Sequence, residues 1–173
     1  MVARIVTRGN TIMKPVILLS AAVFAAMFAT SAPAQMVIDK KVISADAARK
    51  IAEGCEAFAK AKGWHVSVWV LDETLTPLYF YRMQGTPMFT VKPALAKAEV
   101  AVRTGQPNDA YVQNATTRGP FVATVNAIAG GYVLSPGGLP ILIDGQVAGG
   151  IGIGGSTDDR ACAQAGIDAV FKK

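Results

Sequence analysis

The chain has 173 residues, 51% hydrophobic and only 17% charged, with 17 Gly, 9 Pro, 2 Cys and 1 His. That length suits one domain with its own core, which excludes a disordered chain and a disulfide-stapled miniprotein. A single histidine excludes sites built on two or more, and two cysteines cannot make a four-cysteine zinc site or hold an iron–sulfur cluster alone.

The net charge of +5 is concentrated at the start. Residues 1–34 hold Arg4, Arg8 and Lys14 and no acid, then an apolar run from Pro15 to Ala29 and an Ala32-Pro33-Ala34 close. A basic region, a short apolar stretch and an A-x-A end describe a secretory signal peptide cleaved after Ala34. The apolar run is shorter than the roughly 20 residues of a membrane span. Met13 offers an alternative start directly before Lys14. The remaining 139 residues, from Gln35, carry 14 basic against 12 acidic side chains, a net +2. No Lys/Arg run survives, so nucleic-acid binding has no electrostatic footprint. The expected location is periplasmic or secreted, with no membrane attachment after cleavage.

Ser44 can cap a helix to about Lys62, with Ala48, Ile51, Ala52, Cys55, Phe58 and Ala59 on one face and Gly63 as its stop. Trp64 to Leu71 reads as a strand, and Pro77 to Met83 as its hairpin partner. Lys92 and Pro93 open a second helix over 93–104, ended by Gly105 and Pro107. Asn108 to Gly130 reads as a short helix plus a loop, and Tyr132 to Leu134 as a short strand. Export places Cys55 and Cys162, 107 residues apart, in an oxidising compartment. They are either a disulfide joining the first and last helices or two buried thiols; side-chain geometry decides.

Leu139 to Ile143, Asp144-Gly145 and Gln146 to Ile153 form a two-residue type I′ hairpin. Its pairing sets Ile143 against Gln146, Ile141 against Ala148 and Leu139 against Gly150. One face of the second strand is then Ala148, Gly150, Gly152 and Gly154, nearly bare backbone. Such a stripe marks a close approach by a packed helix, a second subunit or a flat ligand. Ser156 or Thr157 caps a final helix, with Asp158 and Asp159 in its first turn, where the helix dipole favours acids. The order α-β-β-α-(β)-β-β-α, joined by hairpins, predicts an α+β fold. Its antiparallel sheet has about five strands, with the N- and C-terminal helices packed on it, and 35–173 form one domain.

Gly150-Ile151-Gly152-Ile153-Gly154-Gly155 satisfies G-x-G-x-x-G, but only 18 residues follow, too few for the next strand of a dinucleotide site. Walker A, G-x-S-x-G and haem-attachment C-x-x-C-H sequences are absent. His65 is either a half-exposed strand-end residue or a ligand. The acids at Asp72-Glu73, Asp144 and Asp158-Asp159 each have a local job in a turn or helix start. Lys97 lies one position off the apolar set Leu95, Ala98 and Val102. It either snorkels to solvent or faces an anionic group. No catalytic set and no metal-ligand cluster stands out.

Gly137 to Phe171 (GGLPILIDGQVAGGIGIGGSTDDRACAQAGIDAVF) resembles the GlcG/HbpS family of haem-binding proteins. The family pattern there is a G-G-x-P-I strand, an x-D-G-x-x-x-G hairpin, a G-x-x-G-G close and a last helix with A-G-I/L. Thr90 to Ala101 is similar to the family's S-x-D-x-A-x-x-K-A-x-T-A helix, with Lys97-Ala98 at the K-A pair. Gly63 to Asp72 is similar to its first strand, and Arg82-Met83 with Gly85 to its R-M-D-G. The similarity runs from about residue 42 to 171. Asp72-Glu73-Thr74-Leu75 replaces the family's D-A-G-G turn, Gln84 and Lys92 replace acids, and Val100 replaces a threonine.

The resemblance implies an antiparallel sheet flanked by helices, in a small domain that forms homo-oligomers. It further implies an exported protein that binds haem, or a similar flat anionic ligand, non-covalently, buffering haem and iron or serving a sensor. The alternative is an enzyme or enzyme accessory for a small metabolite in a catabolic operon, with Lys97 as functional group. Haem iron accepts His, Met, Tyr or Cys. His65 leads by ligand chemistry over Met36, Met83, Met88, Tyr79, Tyr81, Tyr111 and Tyr132. Arg82 and Lys97 are the residues expected to meet propionates.

Overall fold

Ser44 starts the first helix, α1 (Ala45–Ala61), by accepting a hydrogen bond from the Ala47 N–H at 3.1 Å. Gly63, at φ +69°, ends it: its N–H reaches Lys60 O and the Trp64 N–H reaches Ala59 O, the Schellman closure. These are features of a computed structural model that describes residues 38–110, 117–120, 123 and 135–172. The signal peptide expected at 1–34, Met36, Tyr111, Tyr132, most of 108–130 and the strand expected at Tyr132–Leu134 lie outside the described residues.

The next elements are β1 (Ser67–Asp72), β2 (Pro77–Arg82), a 3-10 turn (Met88–Thr90) and α2 (Val91–Thr104). Helix α2 begins two residues before Pro93, because proline is tolerated in a helix's first turn, where N–H groups have no internal partner. Then come β3 (Gly138–Ile143), β4 (Gln146–Gly154) and α3 (Asp159–Phe171). The β3–β4 turn has Asp144 and Gly145 at φ +51° and +77°, as a type I′ turn requires. Helix α3 is capped by Asp158, not by Ser156 or Thr157: the Asp158 carboxylate accepts the Ala161 N–H at 2.9 Å.

The four described strands form one antiparallel sheet in the order β2-β1-β4-β3. The expected register of the second hairpin holds only at its turn. Ile143 faces Gln146 and Leu142 faces Val147, but Ile141 then faces Gly149 and Leu139 faces Ile151. Ala148 is the extra residue of a β-bulge. A one-residue slip exchanges faces. It therefore puts Leu139 and Ile141 on the isoleucine side of β4, and Ala148 joins that core instead of the glycine stripe.

On that side Val68, Val70, Ile151 and Ile153 are fully buried beneath α1 and α3. Burying each such side chain stabilises by about 1.5–3 kcal/mol. The two helices approach closely at Gly54 and Gly166, where a Cβ on Gly54 would stand 2.6 Å from the Ala169 Cβ. Cys55 and Cys162 are bonded across this contact, with their Cα atoms 4.8 Å apart.

The opposite side explains the glycines. Gly150, Gly152 and Gly154 lie under α2, one helical ridge at four-residue spacing. A Cβ on Gly150 would meet Val102 Cγ2 at 2.5 Å, one on Gly152 the Ala98 N at 2.6 Å, and one on Gly154 the Thr90 O at 2.7 Å. A helix occupies the stripe.

Candidate functional site

The Schellman turn that closes α1 delivers Trp64 and His65 to the mouth of β1. Trp64 packs edge-on against Phe58, ring centres 5.9 Å apart, which fixes its direction. Just beyond β2 the chain turns at Gly85, φ +87°, beside the His65 ring; a Cβ there would stand 3.4 Å from its Nδ1. This turn brings Gln84 O to 2.8 Å from His65 Nδ1. A carbonyl only accepts, so Nδ1 carries the hydrogen; in the neutral imidazole Nε2 is then the nitrogen with the lone pair.

These residues line an open cavity of about 640 Å³, together with Glu56, Lys60, Gly63, Tyr81 and Met83. Met83 is buried, and its sulfur accepts the Val66 N–H at 3.5 Å. Tyr81 and Trp64 are half-buried and pack on the core. The wall from α1 is charged: Lys60 Nζ lies 2.8 Å from Glu56 Oε1, one helical turn back. Through that hydrogen bond, and then its charge, Glu56 holds the Lys60 ammonium above its ordinary pKa.

The structure does not bring the three residues singled out from sequence into one site. His65 lines the cavity. Arg82 lies outside the lining and donates from Nη1 to Thr86 O at 3.1 Å. Lys97 neither snorkels nor reaches the cavity. It is 3% exposed, and its ammonium donates to Asp159 Oδ2 at 2.7 Å and to Ile153 O at 3.0 Å. An acid with an apparent local role at the start of α3 is thus its counter-ion. Of the other candidate haem ligands, Tyr81 and Met83 line the cavity, Tyr79 packs on the core, and Met88 is 78% exposed on the 3-10 turn.

Glu56, Lys60 and Trp64 escape the sequence reading as site residues. The available signal was the i,i+4 acid–base pair in the last turn before Gly63. It reads equally well as a solvated helix pair.

With this geometry in place, comparison with known proteins supplies the family. The family described as "Haem degrading protein HbpS-like" matches residues 43–168. The chain belongs to the HbpS-like family. Among solved structures, the Klebsiella pneumoniae protein ORFY superposes with a TM-score of 0.76 at 22% identity, covering 82% of this chain and 99% of that one. A double mutant of Streptomyces reticuli HbpS gives 0.71 at 27% identity, covering 83% and 96%. The PduOC:heme complex gives 0.70 at 22% identity, covering 75% and 96%. No curated protein matches the sequence. The α+β class expected from sequence is therefore the HbpS-like fold, with four strands among the described residues in place of about five.

Proposed function

We propose that this HbpS-like protein binds haem non-covalently in the cavity beside His65, and is exported to buffer or present it. The observation that carries the reading is the His65–Gln84 hydrogen bond. Of the two neutral tautomers it selects the one that leaves the lone pair on Nε2, the form in which histidine serves as a metal ligand. The surroundings suit a flat aromatic group: Trp64, Tyr81 and Met83 are apolar walls, and about 640 Å³ lies within the 300–1,000 Å³ of typical ligand sites. Bound haem would supply an iron centre able to accept the imidazole nitrogen of His65. The protein's part is to hold the ring plane, present one nitrogen and keep one face dry.

The solved PduOC:heme complex shares the fold and supports the reading at the level of architecture. Export rests on residues 1–34, whose composition is that of a signal peptide. Self-association rests on the large apolar side chains left outside: Met88 and Phe89 are each 78% exposed and Phe80 is 42% exposed. Haemin titration of the purified protein tests the main claim. A saturable Soret shift is expected, and a linear, unsaturated spectrum of free haemin overturns it.

A further inference from the structure

Arg82 and Lys97 are engaged within the protein, which leaves open what would receive the acidic edge of a ligand in the His65 cavity. Arg82 donates to a backbone carbonyl, and Lys97 is buried against Asp159. The lining itself contains one ammonium, that of Lys60. Its side chain is 64% exposed, so it can turn toward an incoming group, and it stands in the last turn of α1. The Glu56 carboxylate and the negative end of the α1 dipole both disfavour an anion on this wall. Lys60 is the group that reverses that sign.

We infer that Lys60 is the specificity residue of the cavity. It exchanges its bond to Glu56 for one to a ligand carboxylate, so that the site selects a flat ring bearing a carboxylate over the same ring without one. The inference rests on the haem-binding reading and adds the half of the ligand that His65 does not read. Glu56 becomes a built-in competitor: it holds Lys60 in place when the cavity is empty and must be displaced on binding. Its carboxylate, 20% exposed, has no other cation within 4 Å among the described residues.

The test compares haemin with haemin dimethyl ester, which has the same ring and iron but no free carboxylate. Wild type should bind haemin more tightly than the ester. Lys60→Met should weaken haemin about fivefold, the effect of one partly exposed ion pair, and leave the ester unchanged. Lys60→Arg, which keeps the charge, should restore the preference. Glu56→Gln should tighten haemin and leave the ester where it was, a gain that damage to the fold would not produce. Added salt should weaken haemin and spare the ester. Equal binding of the two ligands by wild type, or equal losses for both in Lys60→Met, overturns the role of Lys60 while haem binding stands. If neither ligand shifts the Soret band of wild type, the haem reading fails and this inference fails with it.

Discussion

Lys97 Nζ, on the helix over one side of the sheet, is 2.7 Å from Asp159 Oδ2 at the start of the helix on the other. Their side chains are 4% and 11% exposed. The second Asp159 oxygen accepts from the Ser156 N–H at 2.9 Å and the Ser156 hydroxyl at 2.7 Å. The pair pins α2 and α3 together around the end of β4.

Removing Lys97 leaves the nearly buried Asp159 carboxylate without its counter-ion, with only the Ser156 hydrogen bonds to compensate. Lys97→Met should therefore cost about 3–5 kcal/mol of stability, measured by denaturant unfolding. Haemin affinity of the folded variant should be unchanged, since Lys97 is not in the cavity lining. A fully stable Lys97→Met protein that no longer binds haemin would assign the lysine to the ligand instead.

Gly152→Val places a side chain where the α2 backbone already lies, with Ala98 N at 2.6 Å from the new Cβ. Backbone cannot swing aside as a side chain can. The loss should reach or exceed the upper end of the ~1–3 kcal/mol typical of overpacking. Thermal melting of the variant checks this, and an unchanged melting temperature would mean that α2 does not rest on the stripe.

The Cys55–Cys162 bond closes a loop of 107 residues. In the chain-entropy model such a loop contributes up to about 4.7 kcal/mol. The oxidised protein should melt well above the reduced one, and denatured protein should show no titratable thiol. Two thiols per chain would contradict the bond.

Asp72 organises the β1–β2 turn. Burial alone would raise its carboxyl, but hydrogen bonds from the Thr74 hydroxyl and the Thr76 and Thr74 N–H groups outweigh this and hold its pKa below the ordinary value. A lowered folded-state pKa gives stability that is present above the unfolded value and lost as pH falls through the folded one. Asp72→Asn should flatten the acid limb of the stability curve below about pH 4, the unfolded-state range of a carboxylate. An identical acid limb in the variant would deny Asp72 that role.

The α1 face, its cap and its glycine stop were legible because each is local. So were the type I′ turn and the glycine stripe. The register of β4 was not. Both of its faces are buried, by isoleucines on one and a helix backbone on the other, so alternating polarity does not fix the pairing, and the Ala148 bulge leaves no mark. The role of Lys97 was hidden because its partner lies 62 residues away and already had a plausible job as a first-turn acid. His65 was legible as the lone imidazole, but what orients it for the proposed role, the Gln84 carbonyl, is backbone brought there by a turn. Lys60 and Glu56 were in view as a pair. Their place in the cavity depends on the Schellman turn that sets them beside Trp64 and His65.

The central claim is that His65 offers Nε2 to haem iron in this cavity. Parallel Soret titrations of wild type and His65→Ala test it most directly. The account predicts a saturable shift in wild type and its loss, or a much weaker and spectrally different complex, in His65→Ala. The variant should melt close to wild type, because the imidazole is exposed. An identical spectrum and affinity in His65→Ala would contradict the account.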